Sequence, residues 1–253
     1  MVACNLASGS KGNCTYIETK NHKILIDVGT SSLQIEKKLD EIGVSAKDID
    51  IILITHAHID HVKGLKVFNK KYSPLIYITD LTLKEANLES MDCRRLKDLS
   101  CVDDISIKSI DLSHDVKDIK GYIIEEGTSS LVYITDTGYI SEDYFYSISN
   151  KNVYFFESNH DIEKLMNNPN YPHHTKIRIL GDKGHLSNKD SAYYLNKIIG
   201  ENTKYIVLSH LSEQNNTEEL AMNCLEDIIN SKSKFKPKIF VARQDEISEV
   251  LKI

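Results

Sequence analysis

The chain alternates short runs of apolar and β-branched residues with longer stretches in which apolar residues recur every three or four positions. The short runs predict strands, and the run over 48–56 (DIDIILITH) is apolar at consecutive positions, which indicates burial on both faces. A turn near Asn21 would join the first two strands. The predicted strands cover 14–19, 23–29, 48–56, 75–79, 105–112, 121–126, 130–136, 152–158, 204–210 and 238–242.

The longer stretches predict helices. Residues 32–42 place Ile35, Leu39 and Ile42 on one face, with Ser32 as the expected N-cap and Gly43 as the stop. Further helices are expected from about Ser187 to Ile199 and over 217–230. Strands interleaved with helices in this way predict an α/β architecture with the helices outside the sheets.

Composition excludes several classes of protein. The 253 residues are 41% hydrophobic and 27% charged, and the formal net charge of −6 argues against a protein that coats nucleic acid by bulk charge. Five scattered cysteines without a CxxC pair indicate reduced thiols inside the cell. We see no signal peptide and no apolar run near the ~18 residues of a membrane span, so we expect a cytoplasmic protein.

Several predicted strands end on polar residues of unusual type, namely Asp27, His56, Asp136, Glu157 and His210. Functional sites are often built at strand ends, because a rigid scaffold fixes the side chains presented there. These residues are therefore candidates for chemistry.

The stretch ITHAHIDH (54–61) contains three of the chain's ten histidines within six positions. It follows a strand, so we interpret it as a loop rather than as a helical pair of ligands. His56 and His58 can reach one ion, while Asp60 and His61 can turn toward a second. A polar turn with chance histidines is the alternative, but this density makes it the weaker interpretation. Imidazole and carboxylate ligands suit zinc, and also manganese or iron.

One loop cannot complete two coordination shells. His114 follows the run SIDLS, Asp136 follows LVYIT and His210 follows YIVLS, so the same arrangement of strand and ligand recurs downstream. A lone histidine after a strand is usually a capping or surface residue. Four repeats of the arrangement favour a shared metal site.

These motifs, in this order, resemble the five motifs of the metallo-β-lactamase fold superfamily, and the resemblance extends over essentially the whole chain. It implies a single domain over 1–253, classed as α/β (α+β in some schemes), with a four-layer αββα sandwich. It also implies two divalent metal ions. His56, His58 and His114 would hold one, Asp60, His61 and His210 the other, with Asp136 as the bridge. Asp27 would order the loop by hydrogen bonds without being a ligand.

The superfamily cleaves β-lactams, thioesters and phosphodiesters, so the fold does not choose the reaction. Glu157 and His185 resemble a pair found in its nuclease branch, where the acid orients a histidine that protonates the leaving oxygen. An alkoxide is a poor leaving group, so such an acid matters more for phosphodiesters than for thioesters. We count His185, Glu157 and Asp60 as catalytic candidates. His160 competes with His185, whereas His22, His173 and His174 are interpreted as surface residues.

Two further features favour a phosphate substrate. Between 164 and 189 the chain has five basic residues and one acidic residue. Ser187 and Asn188, at a predicted helix start, are candidate hydrogen-bond donors to a phosphate. A solvated surface loop is the alternative interpretation of this stretch. The small residues of SGSKGN, including Ser8 and Asn13, would form a tight turn with amides that face an anion.

SGSKGN and GHLSN together resemble the YycJ/WalJ group of bacterial exonucleases. Only 73 residues, 137–209, separate Asp136 from His210, too few for the inserted domain of β-CASP nucleases. We therefore predict a metal-dependent phosphodiesterase for nucleic acid, most plausibly a 5′-to-3′ DNA exonuclease that uses a hydroxide activated by two metals. A glyoxalase-II-like thioesterase is the alternative, and a binding module with a relic centre is a third. The oligomeric state is left open.

Overall fold

The computed structural model of the protein describes residues 1–96 and 101–253, which form two seven-stranded sheets. The first sheet has the order β14-β1-β2-β3-β4-β5-β6 and the second β13-β12-β11-β10-β9-β8-β7. The strands are β1 (Val2–Ala7), β2 (Cys14–Glu18), β3 (Lys23–Ile26), β4 (Ile51–Leu53), β5 (Leu75–Ile78), β6 (Arg94–Arg95), β7 (Cys101–Val102), β8 (Ile105–Asp111), β9 (Lys120–Glu126), β10 (Ser129–Ile134), β11 (Val153–Glu157), β12 (Tyr205–Ser209), β13 (Lys238–Val241) and β14 (Leu251–Lys252).

Each sheet is antiparallel in one half and parallel in the other. In the first sheet β14, β1, β2 and β3 pair antiparallel, and β3 to β6 pair parallel. In the second sheet β7 to β10 pair antiparallel, and β10 to β13 pair parallel. Parallel strands end at the same edge of their sheet, and ligand sites of such sheets lie outside their carboxyl ends.

The helices connect the strands. They are α1 (Ser32–Glu41), α2 (Ile59–Val62), α3 (Leu65–Tyr72), α4 (Asp80–Glu85), α5 (Phe145–Ile148), α6 (Ile162–Asn167), α7 (His173–Leu180), α8 (Asn188–Ile198) and α9 (Glu218–Lys232). None of these helices combines the length and the apolar character that crossing a membrane requires.

Three apolar layers hold the molecule together. The inner layer joins the facing sides of the two sheets and contains Leu53, Tyr133 and Phe155. A second layer packs α1 and α3 on the first sheet, and a third packs α8 and α9 on the other. The layer order is therefore helix, sheet, sheet, helix, which confirms the predicted αββα sandwich. That residues 1–253 form a single domain stays a prediction.

All ten predicted strands are present, with ends that differ by up to three residues. The predicted strand 48–56 is shorter, because Ala46–Asp48 form a 3-10 turn and the chain leaves the sheet after Leu53. The N-cap of α1 is Ser31 rather than Ser32, since the Ser31 hydroxyl accepts from the Gln34 amide. We did not predict β1, whose small and polar side chains hide its buried position between β2 and β14.

His22 is not the surface residue that we expected. Its Nδ1 lies 2.6 Å from Asp50 and its Nε2 3.0 Å from Asp103, so it connects the segment before β4 to the turn between β7 and β8. This contact joins the two sheets at the end where β3 begins. His173 and His174 are exposed, as predicted.

The structure describes the side chains of four of the five cysteines, and these four are free thiols: Cys4, Cys14, Cys93 and Cys224. The side chain of Cys101 lies outside the described part of the chain.

Candidate metal centre

The metal-binding loop predicted at 56–61 is only partly a loop. His56 lies in the extended segment after β4, and His58 caps α2, so Asp60 and His61 belong to the first turns of a short helix. Our interpretation that the spacing is not helical is thus wrong for the second half of the motif.

Asp27 anchors this loop from the neighbouring strand. Its carboxylate accepts hydrogen bonds from the amide and the hydroxyl of Thr55, both at 2.8 Å. It also lies 2.7 Å from Nδ1 of His61. Because Nδ1 is used in this way, Nε2 of His61 points toward the centre of the cluster. All three residues are buried.

Three residues at strand ends adopt left-handed backbone conformations, with φ of 62° at Asp27, 60° at Asp136 and 57° at His210. They follow β3, β10 and β12, respectively. This region is unfavourable for residues with a side chain, by about 1–3 kcal/mol each, and persists where the surroundings impose it. The left-handed turn bends each side chain off its strand toward the gap between the sheets.

The seven predicted ligands converge. Ligand atoms within 4.8 Å of one another group His56 with His58 and His114, and Asp60 with His61 and His210. Asp136 joins one group with His56 and His61 and another with Glu157, His185 and His210. Nδ1 of His114 lies 3.0 Å from the Gly184 carbonyl oxygen, which leaves its Nε2 for the cluster.

The donor atoms of this cluster fit divalent cations. Buried His56 Nε2, Asp136 Oδ2 and His210 Nε2 have no hydrogen-bond partner among the described residues. Nε2 of His61 faces Asp136 Oδ2 at 3.2 Å, and with Nδ1 donating to Asp27 both facing atoms are acceptors. Facing acceptors repel unless a proton or a cation lies between them. Imidazole and carboxylate are suitable ligands for zinc, manganese or iron.

The electrostatics of the cluster favour positive charge. Burial alone would lower the pKa of His210, but Asp136, Asp60 and Glu157 raise it to about 10. Burial opposes the same effect at His61, yet Asp27 and Asp136 hold its pKa well above the usual range. The carboxylates therefore stabilise added positive charge, which is what bound cations would supply.

Glu157 and His185 lie beside this cluster and contact each other. His185 Nδ1 is 2.7 Å from Glu157 Oε1, and Oε2 accepts from the amides of Thr137 and Leu186. Burial opposes ionisation of Glu157, but the charge and the hydrogen bond of His185 lower its pKa to about 2. The His185 ring is partly exposed and lies 5.3 Å from the His210 ring, between centroids.

Comparison with known proteins gives the family. A model described as the metallo-beta-lactamase superfamily matches residues 7–210. The chain belongs to this superfamily. It is 38% identical over 225 residues to exodeoxyribonuclease WalJ of Streptococcus pneumoniae, covering 85% of this chain and 83% of that protein. Exodeoxyribonuclease YycJ of Bacillus anthracis is 36% identical over 234 residues, with coverage of 90% and 88%.

Among solved structures, the metallo-beta-lactamase fold protein YhfI from Bacillus subtilis has a TM-score of 0.71. It covers 98% of this chain and 100% of its own at 13% identity, so the likeness concerns the fold alone. The predicted resemblance to the metallo-β-lactamase superfamily and to its YycJ/WalJ group is confirmed.

The four predicted substrate-binding residues occupy buried positions in this superfamily member. Ser187 caps α8 by accepting from the Asp190 amide, and the Asn188 side chain bonds Ser158 and Asn216. Ser8 and Asn13 contact residues of the metal cluster, as described below. All four side chains have hydrogen-bond partners within the protein. Whether any of them also contacts a substrate stays a prediction.

Not all of the basic residues between 164 and 189 are free to bind a phosphate. Lys176 is buried, and its Nζ donates to the Met166 carbonyl oxygen at 2.7 Å, while Lys164 donates to the Asn216 carbonyl oxygen. Arg178, Lys183 and Lys189 are exposed. The stretch is therefore not one continuous basic surface, because two of its five cations satisfy backbone carbonyls.

Asp115 is a residue of the centre that sequence reasoning missed. Its Oδ1 lies 3.2 Å from Nε2 of His114 and 3.4 Å from Nε2 of His58, and its Oδ2 lies 3.3 Å from Arg178. The available signal was its place directly after His114. Asp115 connects the rim of the cluster to α7.

Proposed function

We propose that the protein is a metal-dependent phosphodiesterase that acts on nucleic acid, chiefly as a 5′-to-3′ exonuclease on DNA. The contact of Glu157 with His185 beside the seven convergent ligands is the observation that carries the proposal. The names of the WalJ and YycJ proteins, both exodeoxyribonucleases, support DNA as the substrate. Such a substrate implies action in the cytoplasm.

We assign His56, His58 and His114 to a first metal and Asp60, His61 and His210 to a second, with Asp136 between them. Zinc is the expected ion, with manganese or iron as alternatives. Two bound dications would supply Lewis acidity, lowering the pKa of water and offsetting charge on the phosphoryl oxygens. Asp27 holds His61 through Nδ1 and so keeps its Nε2 directed at the second site.

His185 acts as the general acid in this proposal. With Nδ1 directed at Glu157, its Nε2 is left to donate a proton to the departing oxygen. Glu157 cannot rotate away, because two backbone amides hold its other oxygen. The carboxylate keeps the imidazole oriented through its contact with Nδ1.

A thioesterase of the glyoxalase-II type remains the second candidate, because the same ligands would serve it. A departing thiolate needs no strong acid, so the pair of Glu157 and His185 would have no evident role in thioester hydrolysis. A non-catalytic binding module would likewise leave this pair without a task.

The test compares 5′-phosphorylated single-stranded DNA, the matched RNA and a glutathione thioester as substrates of the zinc- or manganese-loaded protein. We expect nucleotide release from DNA, and a loss of about 10²–10⁴-fold in kcat for His185→Gln, because the leaving oxygen loses its acid. His173→Gln, which changes an exposed histidine on α7, is the matched control and should retain full activity. Labels at either DNA end report the polarity.

Thioester turnover that is insensitive to His185→Gln would favour the thioesterase. Two bound metals without turnover of any of the three substrates would favour the binding module.

A further inference from the structure

The loop between β1 and β2, residues 8–13, contacts the metal cluster on one side only. Its two buried polar side chains, Ser8 and Asn13, reach the three residues that we assign to the second metal. Within residues 1–96 and 101–253, no side-chain hydrogen bond joins either of them to His56, His58 or His114. The inference below rests on the proposed metal assignment.

Ser8 holds the backbone of His210. The His210 amide donates to the Ser8 hydroxyl oxygen at 2.7 Å, and the His210 carbonyl oxygen accepts from the Asn159 side chain at 2.9 Å. His210 needs this support because its φ of 57° is unfavourable for a residue with a side chain. The Ser8 hydroxyl therefore helps to fix the direction in which this imidazole leaves β12.

Asn13 holds Asp60, another member of the second site, and its contact with His61 is at Nε2, the atom that we assign to the metal. Its Nδ2 lies 3.2 Å from Asp60 Oδ2 and 3.0 Å from His61 Nε2, and its backbone amide donates to the Asp60 carbonyl oxygen at 2.7 Å. Its Oδ1 accepts from the Gly9 amide at 2.9 Å, which fixes the amide group from behind. An amide fixed in this way orients the Asp60 carboxylate toward the cluster.

The loop is itself secured from two directions. The Gln244 side chain accepts from the Lys11 amide at 2.8 Å and donates to the Gly12 carbonyl oxygen at 2.9 Å. On the inner side, Gly29 donates to the Asn13 carbonyl oxygen at 2.8 Å. A Cβ on Gly29 would lie 1.6 Å from the Asp60 carbonyl oxygen, so only glycine permits this approach. The geometry of the loop is therefore set independently of any substrate.

We propose that Ser8 and Asn13 are positioning residues that select and hold the second of the two metals. In this role they act through His210 and Asp60 and do not bind substrate. Partners that orient a ligand typically change metal affinity by 10–100-fold. Loss of either side chain should thus weaken one metal and leave the other as it was.

The experiment titrates the purified zinc-loaded protein with a metal chelator and measures the zinc retained per chain. In Ser8→Ala we expect one zinc to leave at about 10–100-fold lower chelator concentration, and the other at the wild-type concentration. At excess zinc, kcat on DNA should recover and KM should equal that of the wild type. Ser8→Thr, which keeps the hydroxyl, should restore retention.

Ser209→Ala is the matched control. This residue is also buried and precedes His210, but its hydroxyl donates to the Val207 carbonyl oxygen within β12. Its removal should leave both zinc ions in place. If Ser8→Ala does not accumulate, Asn13→Ala gives the same test, because it removes the donor that faces Asp60 without adding a new metal ligand.

Unchanged zinc retention with a raised KM for DNA would overturn the proposal in favour of substrate binding. Equal weakening of both zinc ions, in step with a fall in Tm, would overturn it in favour of a general structural role. Failure of the wild-type protein to cleave DNA would contradict the proposed function only, since zinc retention is measured without substrate.

Discussion

At the scale of single residues, His160 is the histidine that the proposed chemistry leaves unused. The sequence offered His160 as an alternative to His185, but of these two only His185 contacts Glu157. The His160 ring is buried, and neither of its nitrogens has a hydrogen-bond partner in the described ranges. Burial lowers the pKa of His160 to about 4. A neutral His160 therefore belongs to the folded state.

This pKa predicts the direction of a pH effect on stability. Between pH 4 and the ordinary histidine pKa of about 6.5, the unfolded chain binds a proton at His160 that the folded chain excludes. Unfolding thus becomes easier as the pH falls. We expect His160 to reduce the free energy of unfolding by about 2 kcal/mol between pH 7 and pH 5. Urea unfolding of the wild type and His160→Gln at both pH values measures this difference.

His173→Gln serves as the control for this effect, because it removes a histidine that is exposed in the folded protein. A pH dependence shared by the wild type and His160→Gln would show that the folded protein accommodates the charged ring.

At the scale of elements, α7 presents Arg178 to the rim of the centre through Asp115. Among the ion pairs of the described residues, Arg178 is the basic residue between 164 and 189 whose partner, Asp115, also contacts the His58 and His114 rings. Its remaining guanidinium donors are exposed and can hold a phosphate of the substrate strand.

We expect Arg178→Gln to raise KM for single-stranded DNA several-fold and to change kcat little. Losing one phosphate contact should also reduce the slope of log K against log salt by about 0.7. Binding measured by fluorescence anisotropy across a salt series gives the slope.

Lys23→Gln is the control for this variant. Lys23 forms an exposed ion pair with Asp48 at the start of β3, the end of the strand opposite Asp27. If the wild type and Arg178→Gln gave the same salt slope, the DNA strand would not contact Arg178.

The elements also show what a sequence can and cannot predict. The core strands were recognisable because their apolar runs are continuous, and the ligands because each follows such a run. Helix α7 was missed because five of its eight residues are basic or polar and an exposed Ile177 obscures its apolar face. The short pairing of β1 with β14 was missed because it joins segments about 250 positions apart. The contacts of Asp115 with His58 and Arg178, and of Ser8 with His210, join residues that are distant in sequence.

At the scale of the whole molecule, the proposed metals would join the two sheets. Asp27, His56 and His61 come from the first sheet and its loop, whereas Asp136 and His210 follow strands of the second. Cations bound between these strand ends would link the two sheets through coordination bonds, in addition to the apolar contacts of the inner layer.

Removing the metals should therefore destabilise the fold as a whole. An ion present at a thousand times its dissociation constant contributes about 4 kcal/mol to stability. We expect a chelator to lower the Tm by several degrees, measured by calorimetry with and without added zinc. The same chelator should have a much smaller effect on Asp136→Ala, which lacks the shared carboxylate. An unchanged Tm after complete removal would argue against ligands contributed by both sheets.

The left-handed turns at positions 27, 136 and 210 have a practical consequence for protein engineering. Asparagine or glycine would relax the backbone at such a turn. Each such change would cost the centre an imidazole or a carboxylate, and with it the stability that bound metals contribute. A library designed for thermal resistance should therefore keep these three positions fixed and vary the scaffold elsewhere.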